Sequence, residues 1–274
     1  MSCEENITPR SVGDLERGLL ALFPAEDACE WDRTGLQVGN PSNVITKVAV
    51  ALDPTVPAIR EAHERGCNVL VTHHPPYLSA PDAFLPADSV VIANGAGVYE
   101  AIRDDVALLC FHTALDFNPR GYKKIPELVG LEPVGLLQRI PGVSGENGYG
   151  CVCKPVGDDK IRLEDLARMC KEAFKSPVQV WGELGCEVAL IASGQGSASS
   201  LAQDCVEQCI DCLICGEIKY HTALDLLQAG VNVIALGHDV SEHPFVEVLM
   251  DAISSLGFPD AGIECIRQRN WTVC

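Results

Sequence analysis

A chain of 274 residues, 47% hydrophobic and 21% charged, holds enough apolar material for one large or two ordinary globular units and excludes intrinsic disorder. Its formal net charge of -18, from 20 basic against 38 acidic residues, argues against adhesion to nucleic acid or anionic membranes, which runs on lysine and arginine neutralising phosphates. A nucleotide substrate stays open, because bound cations can invert the local field of an acidic protein. No apolar run approaches the ~20 residues that cross a bilayer. The stretch from Met1 to Asp14 sets Glu4, Glu5 and Asp14 against Arg10, unlike the basic start of a secretory leader. The expected location is the cytoplasm, with the 14 cysteines reduced.

In chain order, Val12 to Leu22 reads as an amphipathic helix with Leu15, Leu19 and Leu22 on one stripe. A polar loop containing Glu30 to Gly39 follows, then a strand over Lys47 to Leu52 and a helix over Pro54 to Arg65. Asn68 to Thr72 is an unalternating apolar run, the pattern of a strand buried on both faces of a parallel sheet. It stops at His73-His74-Pro75-Pro76, where Pro75 denies the ladder a donor and holds His74 extended. Both histidines therefore belong to the loop past the strand's carboxyl end, where open α/β sheets bind ligands. Consecutive extended side chains point in opposite directions, so two neighbouring ions suit the pair better than one.

A proline-rich surface loop over Pro75 to Asp88, a helix over Val90 to Arg103 and a strand over Val106 to Phe111 complete a β-α-β-α-β progression with parallel pairing. His112-Thr113-Ala114-Leu115-Asp116 then brings Asp116 to the same sheet edge. His112 can be a ligand, an orienter of a ligand or a packed side chain, and the orienting role is preferred.

A second cycle begins with a strand over Tyr149 to Pro155, a helix over Leu163 to Phe174, and strands over Val178 to Trp181 and Glu187 to Ser193. Gly194-Gln195-Gly196-Ser197 reads as a turn that opens the helix running to Cys209. A strand over Asp211 to Cys215 and a helix over Ile218 to Gln228 follow, with Glu217 and His221 four apart on one helix face as a proton-transfer pair or a surface pair. Cys209, Cys212 and Cys215 imitate half of an iron–sulfur run but lack the fourth ligand, which favours small buried side chains. Last, the strand from Asn232 ends in Gly237-His238-Asp239-Val240-Ser241-Glu242, with Ser241 capping a helix to Leu256 and His238 and Glu242 converging at a strand-to-helix elbow. His63, on a crossover helix, reads as structural, and His243 as facing away.

His73, His74, Asp116, His238 and Glu242 thus lie just past strand ends. Three imidazoles and two carboxylates suit a pair of borderline divalent ions, zinc, iron, manganese or cobalt, whereas calcium asks for oxygens throughout.

Trp31-Asp32-Arg33-Thr34-Gly35-Leu36, Thr72-His73-His74-Pro75, His112 to Asp116, Gly216-Glu217-Ile218-Lys219-Tyr220-His221 and Gly237 to Glu242 resemble, in order and over nearly the whole chain, the motifs of the Nif-three-like family. These are dinuclear-metal-centre hexameric proteins, also named GTP cyclohydrolase I type 2 homologues. The resemblance implies two similar Rossmann-like three-layer α/β lobes: a metal-binding lobe from 1–135 and 231–274, completed by the carboxyl-terminal segment, and a second lobe over 136–230. It also implies a homohexamer with two divalent ions per subunit, held by His73, His74, Asp116, His238 and Glu242, with Glu242 shared. Two departures stand out: Arg33 occupies a position where asparagine is common, and Thr113-Ala114 replace an asparagine-leucine context.

The function this implies is a metal-dependent hydrolase acting on a nucleotide-like or cyclic-amide-like small molecule. His112, His221 and Glu217 are the candidate proton-handling residues, and Arg120, Lys123 or Lys124 the candidate anion contacts. A non-catalytic protein of metal storage, delivery or regulatory adaptation is the alternative. A plain dinucleotide binder is disfavoured, because no G-x-G-x-x-G follows the first strand.

Overall fold

The computed structural model describes residues 11–88, 95–143, 145–157, 160–268 and 271–272. It is a mixed α/β fold with a five-stranded sheet, a six-stranded sheet and a two-stranded pair. Two compact units result, one from Met1–Leu115 with Phe245–Cys274 and the other from Asp116–Pro244.

In the first unit, β2 (Val48–Ala51), β3 (Val69–Thr72) and β4 (Ala107–Cys110) pair in parallel, and every residue of the three is buried. Val48, Val50, Val69, Val71 and Leu109 pack with Leu15, Leu19, Phe245 and Leu249 in one apolar cluster. Ala49, Ala51, Leu70 and Leu108 pack with Ile59, Ala62, Val98 and Ala101 in another. Alternate residues feed separate clusters on the two faces, so the strands need a continuous apolar run. Each such valine or leucine contributes about 1.5–3 kcal/mol by leaving water. A short strand, β1 (Gly35–Val38), adds antiparallel to β4, inside the stretch expected to be loop. The helix Val12–Leu22 starts from a capping box in which Ser11 and Asp14 satisfy each other's backbone N–H. The helix expected over Val90 to Arg103 is present as Ala96–Arg103, and 89–94 lie outside the described residues.

The second unit carries the strands β5 (Leu131–Gln138), β6 (Tyr149–Pro155), β8 (Gln179–Trp181), β10 (Ile191–Ser197), β11 (Cys212–Glu217) and β12 (Asn232–Ala235) in the order β5-β6-β10-β11-β12-β8. Only β10, β11 and β12 run parallel to one another. The pairings β5 with β6, β6 with β10 and β12 with β8 are antiparallel, so this sheet is mixed. A separate ribbon joins β7 (Ile161–Arg162) to β9 (Glu187–Val188). Cys212 and Cys215 lie in different apolar clusters, on the two sides of β11, while Cys209 is exposed. That separation suits packing and not a shared cluster of iron.

The carboxyl-terminal strand β13 (Ile263–Cys265) pairs in parallel with β2 and completes the first unit's sheet. The boundaries nevertheless differ from 1–135, 136–230 and 231–274. β5 bonds to β6 and β12 bonds to β11 and β8, which assigns 116–135 and 231–244 to the second unit. Among the described residues no helix is long and apolar enough to cross a membrane.

Candidate metal centre

In the first unit, β3 delivers its two imidazoles through a tight strand end. Thr72 Oγ1 donates to the carbonyl of His74 at 2.7 Å, and the His74 N–H donates to the Leu52 carbonyl at 3.0 Å. His73 is fully buried, its ring 4.6 Å from that of Phe245 between centroids. Its Nδ1 lies 3.0 Å from the Phe111 carbonyl, which can only accept, so Nδ1 carries the hydrogen. His74 Nδ1 meets Asp53 Oδ1 at 2.7 Å, and His112 Nδ1 meets Asp32 Oδ1 at 3.0 Å. Each ring thus commits Nδ1–H to an oxygen, which leaves Nε2 as the nitrogen that could face an ion or a proton, the arrangement that orients metal-binding histidines.

His73, His74 and His112 each present a nitrogen within 4.8 Å of the others. Ring centroids stand 4.9 Å apart for His73 and His74, 5.1 Å for His73 and His112, and 5.4 Å for His74 and His112. The alternation of extended side chains therefore does not separate His73 from His74. The chain leaves strand geometry after Thr72, and both rings fall in one cluster.

Asp32 fixes His112 from behind. Its side chain is inaccessible to solvent and accepts from the Thr113 N–H at 2.8 Å and from the Thr113 hydroxyl. Burial opposes its ionisation, but the hydrogen bonds from His112 and Thr113 outweigh that and hold the carboxyl below its ordinary value.

In the second unit, the chain passes Gly237 into the short helix His238–Glu242. His238 and Glu242 share one helix face there, with Nε2 and Oε2 3.2 Å apart, instead of meeting across an elbow. Ser241 lies inside this helix and does not cap it. Its Oγ donates to the His238 carbonyl at 2.7 Å and accepts from the Gly196 N–H at 2.9 Å. Glu242 is 3% exposed. The hydrogen bond to Glu242 is the largest influence on His238; burial opposes it, Glu217 adds to it, and the imidazole is pushed up to about 9.

Two glycines make room for this pair. Gly194 to Ser197 is the end of β10 and not the start of a helix. Gly196 has φ of +57°, and a Cβ there would lie 2.2 Å from Glu242 Oε1. A Cβ on Gly216 would lie 2.5 Å from Ser241 Oγ. Beside them, the Gln195 amide donates to the Asp116 carbonyl at 3.0 Å. Gln195 Oε1 is buried with no hydrogen-bond partner among the described residues. Asp116 is itself buried at the end of the helical turn Thr113–Asp116.

Glu217 and His221 do not share a helix face. β11 runs through Glu217, the helix begins at Tyr220, and Glu217 Oε1 sits 3.1 Å from His238 Nδ1. His221 is exposed, its ring edge-on to Tyr220 at 5.4 Å. Lys124 lies 3.7 Å from Glu127 and Lys123 sits over the Tyr122 ring, so each has a partner within its own stretch of chain. His63 Nδ1 meets the Asp104 carbonyl at 2.9 Å, and His243 Nδ1 the Asp239 carbonyl at 2.6 Å, as local structural contacts. Asp53, Gln195 and Gly196 carry no site signal of their own in the sequence. Asp53 follows β2 as His74 follows β3, two residues past the strand end, so the same strand-end argument reaches it.

The donor set fits divalent ions of borderline softness: imidazole nitrogens with fixed tautomers, and carboxylates shielded from water. Fold and site together define a mixed α/β protein with histidine and carboxylate groups able to bind metal. Over residues 11–270 the chain matches the Duf34/NIF3 (NGG1p interacting factor 3) family and belongs to it. It is 29% identical over 253 residues to a GTP cyclohydrolase 1 type 2 homolog of Lactococcus lactis, covering 91% of this chain and 92% of that protein. It is also 26% identical over 273 residues to the NGG1-interacting factor 3 of Saccharomyces cerevisiae, covering 90% of this chain and 91% of the yeast protein. A Staphylococcus aureus hypothetical protein of known crystal structure shares the fold with a TM-score of 0.85 at 25% identity, covering 97% of this chain and 100% of that one.

Proposed function

We propose that the protein binds two divalent ions per subunit through His73, His74, Asp116, His238 and Glu242, with Glu242 shared, and that it acts as a metal-dependent hydrolase. The observation that carries the reading is the trio of imidazoles whose Nδ1 atoms are tied to Phe111, Asp53 and Asp32 while their ring nitrogens converge within 4.8 Å. Bound ions would supply Lewis acidity, lowering the pKa of a water toward neutrality and stabilising an oxyanion. The chain's own part is to orient and to handle protons. Asp32 holds His112 so that its Nε2 gives or takes a proton, and Glu217 steadies His238 at Nδ1. His221, exposed and away from Glu217, has no such partner in its own helix and drops out of this role.

The names of the bacterial relatives favour a nucleotide-like or cyclic-amide-like substrate, by analogy of family. A homohexamer in the cytoplasm belongs to the same reading. The yeast relative's name, which speaks of interaction, favours the second reading of a metal-carrying adaptor without turnover. Metal analysis of protein purified without chelator, followed by a screen of nucleotides and cyclic amides with defined metals, tests both. Two equivalents of metal with turnover lost in Glu242→Ala support the hydrolase. Metal without any turnover supports the adaptor, and absence of metal removes both.

A further inference from the structure

The Trp31-Asp32-Arg33 stretch is used so far only through Asp32. Its two flanking side chains lie on the same loop, beside the imidazole cluster of the first unit. Trp31 is 57% exposed although an indole is among the most costly side chains to leave in water. It meets His112 edge-on, with centroids 5.8 Å apart and planes at 69°, so the contact is not a stack and leaves indole surface for another ring. The loop is tied on either side of it. The Asp32 N–H donates to the Cys29 carbonyl at 2.9 Å, and the Cys29 N–H donates to Thr113 Oγ1 at 2.9 Å. Its backbone is therefore held before any ligand arrives, which lowers the entropy lost on binding.

Arg33 is anchored by its backbone, where its carbonyl accepts from Cys110 Sγ at 2.7 Å. Its guanidinium lies 5.9 Å over the ring of Tyr77, three residues past His74. In a chain of 38 acidic residues, Arg33 has no carboxylate within ion-pair distance among the described residues. Arg17, Arg60, Arg65, Arg103, Arg162 and Arg168 all have one, whereas Arg120, Arg139 and Arg267 share the condition of Arg33 but do not lie on this loop. One loop thus sets an exposed aromatic ring against His112 and an uncompensated planar cation against the loop that follows His74.

We propose that Trp31 and Arg33 form the recognition subsite for a small substrate, Trp31 stacking a flat heterocycle and Arg33 holding its anionic group. The proposal rests on the reading that the imidazole cluster acts on a small molecule, and it names what that molecule must carry. Stacking on tryptophan and a guanidinium–phosphate contact recognise different parts of the ligand, so the two residues separate experimentally.

The test is equilibrium binding to the full chain, as purified, with guanosine 5′-monophosphate, guanosine and ribose 5-phosphate as probes, and with metal content and assembly mass read on the same samples. The monophosphate is expected to bind roughly tenfold more tightly than either fragment. Trp31→Ala should weaken the monophosphate and guanosine roughly tenfold and leave ribose 5-phosphate unchanged. Arg33→Ala should weaken the monophosphate and ribose 5-phosphate and leave guanosine unchanged. Trp31→Phe and Arg33→Lys should recover part of each loss, and metal content should not move in any variant. No binding of the monophosphate by the wild type at millimolar concentration overturns the proposal. So does binding indifferent to both residues, or a Trp31→Ala change in assembly mass with the ring preference intact. A wild type without metal or turnover that keeps the ring and phosphate preferences removes the hydrolase reading and sustains the subsite. Metal and turnover with no dependence on either residue does the reverse.

Discussion

Gly196→Ala separates the site from the stability of the fold. The new methyl meets two penalties of different kind. At φ of +57° an alanine pays about 1–2 kcal/mol of backbone strain. The Cβ also lies 2.2 Å from Glu242 Oε1, which has to move. That atom is the far end of a flexible side chain, so the displacement costs the fold little beyond the strain; its effect falls on the 3.2 Å pairing of Glu242 with His238. Gly230→Ala is the matched control, because Gly230 has φ of +88° and a methyl group added there would meet nothing within 4 Å. Urea unfolding of the metal-free proteins should therefore give losses for the two variants that agree within about 1 kcal/mol. Metal affinity, followed by titration with cobalt or zinc, should fall at least about tenfold in Gly196→Ala and stay at the wild-type value in Gly230→Ala. A Gly196→Ala protein that binds metal as the wild type does would refute the argument that this glycine exists to seat Glu242.

Further outcomes follow from the same contacts. Asp53→Ala removes the acceptor that fixes the His74 imidazole, and metal titration should register a loss of about 10–100-fold in affinity, whereas Asp32→Ala releases His112 and should lower turnover with metal content unchanged. Burial pushes the thiols of Cys170, Cys205 and Cys215 up to about 12 from an ordinary 9.0, so the folded state holds these protons more tightly than the unfolded chain. Their contribution to stability is complete below pH 9 and is lost as pH rises from about 9 towards 12, which urea midpoints across that range will read. At neutral pH a maleimide should modify the exposed Cys209 well before Cys153, Cys170 or Cys212, which react only as the fold opens. Leu70→Ala, deleting a fully buried side chain of β3, should cost about 2–5 kcal/mol in the same unfolding assay.

The parallel strands of the first unit were legible because burial on both faces demands an unbroken apolar run, and Val48 to Ala51, Val69 to Thr72 and Ala107 to Cys110 each supply one. The histidines were legible because proline ends the strand just behind them. What failed depends on partners distant in sequence. β1 has four residues and exists through its pairing with β4, some 70 residues away, so no local pattern announces it. Gly194 to Ser197 looked like a turn, since glycine is a turn residue in isolation; it remains strand because β10 keeps its pairing with β11 as far as Ser197 and Glu217, and at Gly196 the space of a Cβ is taken by Glu242 Oε1. Glu217 looked like a helix residue because the apolar run stops at Cys215, whereas β11 keeps its ladder to β10 through Glu217, beyond that run. The unit boundaries moved for the same reason, with β5 and β12 sorted by hydrogen-bonding partners.

The placement of β13 against β2 has a consequence for biosynthesis. The first unit's sheet gains its last strand from Ile263–Cys265, which a ribosome makes only after all of Asp116–Pro244. The inserted unit holds a continuous stretch of chain and can reach its final form during translation, while β2 waits with an open edge for residues not yet synthesised.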